Sequence, residues 1–222
     1  MSRRATWVVG AVAVAALLAA CGSKTAALGS PSTSPPTVSP TQPSGNSTSP
    51  TPAQSPVPTE SPVPVESHPP GDIPDNSVYV PYTSSAGGFK ISVPEGWSRS
   101  TAKTSVTFTD KLNTVIVSWQ PATAAPTVAT AKSIEVPALM AATRAFQLKA
   151  VSTASLSAGP AVLIEYQANS DPNPVTGKQY RLAVLRYELY KNGSEVAITL
   201  LSPVGADNVD PWRIVTQSFA WR

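Results

Sequence analysis

The side chains able to do chemistry in this 222-residue chain are few and scattered. It has one cysteine, Cys21, and one histidine, His68. From residue 77 onward there is neither. That removes Ser-His-Asp and Cys-His nucleophilic arrangements and nearly all zinc sites. No Gly-rich phosphate loop is present. Carboxylates remain. Asp207 and Asp210 stand close together just before a helical pattern, and two carboxylates can run glycoside hydrolysis. The simpler reading is a loop followed by a helix cap, where acidic side chains complement the helix dipole. Glu165 and Glu188 fall in strand patterns with Arg186 nearby, and suit cross-strand ion pairs better than a general acid and base. His68, within Ser67-His68-Pro69-Pro70, reads as a solvated side chain. The expectation is no catalytic residue, no cofactor and no metal site.

Cys21 is the exception, because its surroundings define a chemistry. It closes the string Leu18-Ala19-Ala20-Cys21 and is followed by Gly22-Ser23. Arg3 and Arg4 form a positive N-terminal region, and residues 7–20 form an apolar run rich in Ala, Val and Leu. This is the layout of an export signal. The run has 14 residues, short of the ~20 that a spanning helix needs. A plain secretory signal would need no cysteine at this place. The string resembles the lipobox of bacterial lipoproteins, which implies removal of residues 1–20 and lipidation of Cys21. Several acyl chains, each CH₂ contributing about 0.8 kcal/mol in the bilayer, anchor a protein stably without a transmembrane helix. The expected location is the extracytoplasmic face of the cell membrane. With Cys21 used, no disulfide can form in the remainder, although the compartment permits them.

Residues 22–76 change composition sharply. They hold 14 of the chain's 24 prolines, many Ser and Thr, and no aromatic residue. Such a segment buries too little apolar surface to offset chain ordering. Residues 21–76 are therefore expected to be a lipidated, disordered tether, reaching roughly 40 Å as a flexible chain and ~170 Å as polyproline II. Thr beside Pro, as in Thr51-Pro52, also suits O-linked glycosylation of a Ser/Thr/Pro-rich stalk.

The positioning elements come after residue 77. Residues 77–222 are expected to be one domain, large enough to bury a core. It carries 13 Lys and Arg against 9 Asp and Glu. The positive residues are scattered, and with the export signal this argues against nucleic acid. Phe89, Ile91 and Val93 alternate with polar residues as a half-buried strand. Pro94-Glu95-Gly96 turns the chain and delivers Trp97. Further strands are expected at 106–109 and 114–119, the latter rich in β-branched residues. A helix is expected to open at Val136-Pro137 and run through 138–148, with Leu139, Ala142 and Phe146 on one face. Strands follow at 162–168, 180–191 and 195–201. Asn192-Gly193 joins the last two as a type I′ hairpin, which also accounts for the sequon Asn192-Gly193-Ser194. Asp210 is expected as the N-cap of a closing helix, with Pro211 at its first position and Trp212, Val215 and Phe219 facing the sheet. Strands 180–191 and 195–201 are apolar on both faces, as in a sheet covered on two sides.

The run from Gly88 through Val93-Pro94-Glu95-Gly96-Trp97 resembles the opening of the Lpp-LpqN group of actinobacterial lipoproteins. The run Trp212-Arg213-Ile214-Val215-Thr216-Gln217-Ser218-Phe219 resembles the closing helix of the Mog1/PsbP-like fold. The resemblance implies an α+β domain, a mostly antiparallel sheet with helices packed on its faces in an α/β/α sandwich. It brings no catalytic motif. It implies a non-enzymatic binding or assembly module of the cell envelope, with an envelope protein, a lipid or a glycan as partner and the membrane contacted through Cys21. A carboxylate-dependent hydrolase of envelope glycans, or a structural spacer, are the alternatives.

Overall fold

The computed structural model describes residues 60–222, so residues 1–20, Cys21 and most of the expected tether lie outside them. The fold is α+β, with antiparallel sheets and few helices. A seven-stranded sheet has the order β3-β4-β5-β9-β8-β7-β6. Its strands are β3 (Ser98–Ala102), β4 (Ser105–Asp110), β5 (Asn113–Pro121), β6 (Gln147–Leu156), β7 (Gly159–Asn169), β8 (Arg181–Lys191) and β9 (Ser194–Pro203). A second sheet, β1-β2-β10, joins β1 (Tyr79–Ser84), β2 (Phe89–Pro94) and β10 (Ala220–Trp221).

The long strands form where β-branched and aromatic residues alternate with others. In β7, Val162, Ile164, Tyr166 and Ala168 are buried while Leu163, Glu165 and Gln167 are half-buried. β8 and β9 are joined by the expected two-residue turn. Asn192 and Gly193 have φ of 50° and 83°, and Lys191 pairs with Ser194 across it, as a type I′ turn requires. At the Pro94-Glu95-Gly96 turn, Gly96 has φ of 80°.

Both faces of the large sheet are covered. On one face Val115, Val117, Val196, Ile198, Leu200 and Leu189 pack with Phe89, Ile91 and Val93 of β2 and with Trp212, Val215 and Phe219. On the other, Val162, Ile164, Tyr166 and Val184 pack under Ala131, Val136, Leu139 and Phe146. Phe89, Phe219, Ile164 and Leu200 are essentially inaccessible; burying one such side chain contributes about 1.5–3 kcal/mol. Trp212 lies in α3 (Val209–Gln217). The opposite cover is α1 (Val128–Thr130), a π-helical turn (Ala131–Glu135) and α2 (Val136–Ala142).

Several expectations are corrected. The helix expected to open at Val136-Pro137 does so, preceded by the π-helical turn and α1, but it ends at Ala142 rather than 148, because Thr143 is extended. Ala142 is exposed, while Leu139 and Phe146 pack on the sheet as expected. Residues from Gln147 onward pair with β7 along most of its length, with a bulge between Leu148 and Ala150. Strand pairing there outweighs the helix propensity of the local sequence. β1 and β3 were not read from the sequence; all of β3 is exposed, so it carries no alternation. The N-cap of α3 is Asn208, and Asp210 sits in its first turn.

Residues 60–76, expected as the end of the tether, lie along the domain. Val63 N–H donates to Asn169 Oδ1 at 3.1 Å, and Asn169 Nδ2 donates to Ser61 O at 2.9 Å. Glu60 pairs with Arg144 at 2.9 Å and Glu66 with Lys178 at 2.6 Å. Ile73 is 5% exposed and joins the core beside β2. Its N–H donates to Asn208 Oδ1 at 2.8 Å, and Asn208 Nδ2 donates to Gly71 O at 2.9 Å. Gly71 has φ of 133°, and a Cβ there would lie 2.9 Å from Pro203 Cδ.

Candidate functional site, a cleft beside the closing helix

The two sheets differ in width, and that difference makes the site. β1 and β2 cover β4, β5 and β9: Tyr82 packs edge-on to Phe108 at 5.2 Å, and Phe89 edge-on to Trp119 at 5.7 Å. The same face of β6, β7 and β8 extends beyond this cover. α3 lies along the border between the two zones.

The helix is held at both ends. At its start, Asn208 is 2% exposed and its amide joins Asn113 Oδ1, Gly71 and Ile73. At its end, Ser218 Oγ donates to Val215 O at 2.6 Å and accepts from Ser92 N–H at 2.8 Å, tying the last turn to β2. Gln217 Oε1 accepts from the N–H and hydroxyl of Ser157 at 2.8 and 2.7 Å, tying it to the β6–β7 turn. Trp212, Val215 and Phe219 are buried, as the sequence pattern predicts. Trp97 packs edge-on against Trp212 at 6.3 Å, a packing role.

Between these fixings the helix stands off the sheet, leaving a cleft of about 420 Å³. Leu156, Ala183, Leu185 and Tyr187 form its floor, and Trp212, Thr216 and Gln217 form the helix wall. Strand alternation explains the floor: Ala183, Leu185 and Tyr187 are every second residue of β8, so they share a face. Burial, aided by the Glu165 carboxylate, raises the Tyr187 phenol above its ordinary value, so it stays a neutral donor. Arg213 and Asn208 add polar groups to the lining. An apolar trough with a few polar groups is the usual make-up of a small-molecule site. The sequence reading missed it, since a gap between elements leaves no periodic signal.

The residues singled out for chemistry do not converge here. His68 is exposed on the 60–76 segment. Asp207 and Asp210 are both exposed. Asp210 pairs with Arg213 at 3.1 Å within α3, and Asp207 N–H is held by Asp72 Oδ1 at 2.9 Å. No apolar wall encloses the two carboxylates, so they have the form of a helix start. Arg186 Nε does pair with Glu188 Oε1 at 2.9 Å. That ion pair runs along β8 rather than across strands, and Glu188 is fully buried. Among the described residues, no group of three or more His, Cys, Asp or Glu is placed to hold a metal ion. No helix among them is long and apolar enough to cross a membrane.

No family model matches the chain, and no curated protein matches it. Similar solved structures have Mog1- and PsbP-type folds. Cyanobacterial PsbP from Synechocystis is 16% identical over 70% of this chain and 100% of its own, with a TM-score of 0.48. The Ran-binding protein Mog1p of Saccharomyces cerevisiae is 9% identical over 66% of this chain and 96% of its own, with a TM-score of 0.44. LpqN of Mycobacterium tuberculosis, involved in cell envelope biogenesis, is 14% identical over 66% of this chain and 91% of its own, with a TM-score of 0.41. At these identities and scores the likenesses carry no argument about what this protein binds.

Proposed function

We propose that this protein is an extracytoplasmic lipoprotein, anchored through lipid on Cys21, whose domain binds an amphiphilic envelope component without chemical turnover. The observation that carries the binding role is the cleft beside α3. Its apolar floor suits an acyl or similar chain, while Gln217, Arg213 and the Tyr187 hydroxyl suit a polar head. The absence of cysteine, and of histidine outside the 60–76 segment, among the described residues supports a binder over a hydrolase. The exposed setting of Asp207 and Asp210 does the same. The anchoring rests on the string ending in Cys21 and its basic and apolar flanks.

The test fills the floor. Ala183→Trp places a large ring on the floor at its smallest named side chain. Native mass spectrometry of the full lipoprotein purified from its membrane, together with titration of a fluorescent fatty-acid probe, reads occupancy. The expected outcome is a bound amphiphile in the natural protein, and probe affinity weakened at least about tenfold in the variant, a change of about 1.4 kcal/mol. Equal probe binding by a folded Ala183→Trp protein, or none by the natural one, rejects the cleft as the site.

A further inference from the structure

The opposite face of the large sheet carries a second feature, independent of the cleft. Glu188 is fully buried. One carboxylate oxygen accepts from Arg186 Nε at 2.9 Å. No hydrogen-bond donor among the described residues reaches the other, Oε2. A buried carboxylate oxygen without a donor forgoes the bonds it had in water, at a cost above that of a neutral group. Arg186 cannot supply a second bond from Nε, and its Nη1 is turned to Thr199 Oγ1 at 3.4 Å.

A cavity of about 480 Å³ lies where the segment after β5 passes over the Glu188 end of β8 and the start of β9. Beside it, the small side chains of Ala197 and Ser118, the residues next to Glu188 across β9 and β5, leave a further hollow of about 340 Å³ that Arg186, Glu135 and Glu195 also line. The roof is made of Ala122, Thr123, Ala124, Ala125 and Pro126; the hydroxyls of Thr123 and of Thr130 at the side are the neutral donors of the lining, and neither bonds Glu188 Oε2. Glu195 reaches the cavity from β9, held by Gln120 Nε2 at 3.2 Å. Glu135 reaches it from the π-helical turn; such turns are rare and recur at functional sites. Glu188 also lines a second hollow of about 500 Å³ on the far side of Ala125 and Pro126, with Val128, Val162 and Tyr190.

We infer that this cavity is a binding site for a primary ammonium group on an aliphatic stem. Three carboxylates line it and, among the described residues, no Lys or Arg does; Arg186 beside it is engaged by Glu188 and Thr199. An ammonium has three donors and no acceptor, so one donor meets Glu188 Oε2, which is closed to solvent without a ligand and must turn towards the cavity to accept it, while Glu135 and Glu195 complement the charge. The charge-assisted bond in a buried place is stronger than a neutral one. The Ala and Pro roof and the continuing hollow accommodate the stem.

The probes are cadaverine and Nα-acetyl-lysine methylamide, titrated calorimetrically against the full lipoprotein in detergent, with N-pentylacetamide as the neutral control. The free diamine and the lysyl side chain stand for the two sources of the group. The expected result is saturable binding of at least one amine, none of the neutral analogue, and affinity reduced about tenfold or more by Glu188→Gln. Glu195→Gln, at the open side, is expected to weaken binding several-fold. Glu188→Gln keeps shape and a hydrogen-bonding amide, and its unliganded melting temperature checks folding. Absence of binding by both amines at millimolar concentration, or unchanged affinity in a folded Glu188→Gln protein, overturns the inference.

Discussion

Glu188 is where residue-level physics departs most from expectation. A surface ion pair with Arg186 would contribute little. Here burial removes the carboxylate from water, and Arg186 offsets that only in part. Burial raises its pKa above the ordinary value of 4.5, with Arg186 opposing and Glu135 and Glu195 adding to the rise. A carboxyl raised on folding holds its proton more tightly in the native state. Stability associated with this group is therefore greatest at and below about pH 4.5, and falls as pH climbs through the raised native value. Glu188→Gln is expected to melt higher than the natural protein at neutral pH, with the difference shrinking towards pH 4.5. Thermal melts of both proteins across that range check it. A lower melting temperature for Glu188→Gln at neutral pH would show that the ion pair with Arg186 outweighs desolvation. Arg186 and Glu188 could be read from the sequence as partners, because both lie in one strand pattern. The unpartnered oxygen could not, since it depends on the segment after β5, which passes over it and is distant in sequence.

At the scale of elements, hydrophobic alternation and turn chemistry located most of the large sheet. β7, β8 and β9 and the Asn192-Gly193 turn follow from local rules, because alternation and positive φ are properties of neighbouring residues. β6 does not. Residues 138–148 are good helix formers, and only pairing to β7 turns the chain from Gln147 into a strand. The closing helix was legible through Trp212, Val215 and Phe219, but its N-cap was not. Asn208 stands two residues before Asp210 and uses its amide on Ile73, Gly71 and Asn113 rather than on the helix. That makes it the joint between α3, β5 and residues 60–76. Asn208→Ala removes these bonds and strands the Ile73 N–H and the Asn113 side-chain oxygen, while Gly71 O keeps Asn113 Nδ2 at 2.7 Å. The expected loss is about 2–4 kcal/mol at roughly 1–3 kcal/mol per buried group left unsatisfied, read by urea denaturation. A loss below about 0.5 kcal/mol, the range of an ordinary surface change, would show that the joint is not structural.

For the whole molecule, the packed chain and the anchor are separate questions. Cys21→Ser removes the thiol that the N-terminal pattern marks for lipid. Metabolic labelling with an alkyne-bearing palmitate and fractionation of cells are expected to show label and membrane association lost together. Retained label would place the lipid elsewhere. The sequence by itself determined the proline-rich segment, the α+β class and the two-sided sheet, because each is a matter of composition or short period, and it set the expectation of an export signal. Only the tertiary structure decided the rest: that residues 60–76 lie on the domain, that a narrow second sheet leaves part of the wide one open beside α3, and that Glu188 sits unmatched beneath a distant segment. The physical reason is common to all three. Clefts, docked segments and buried unpaired groups are set by which surfaces meet and which fail to, and those contacts join residues tens of positions apart that carry no mark of one another.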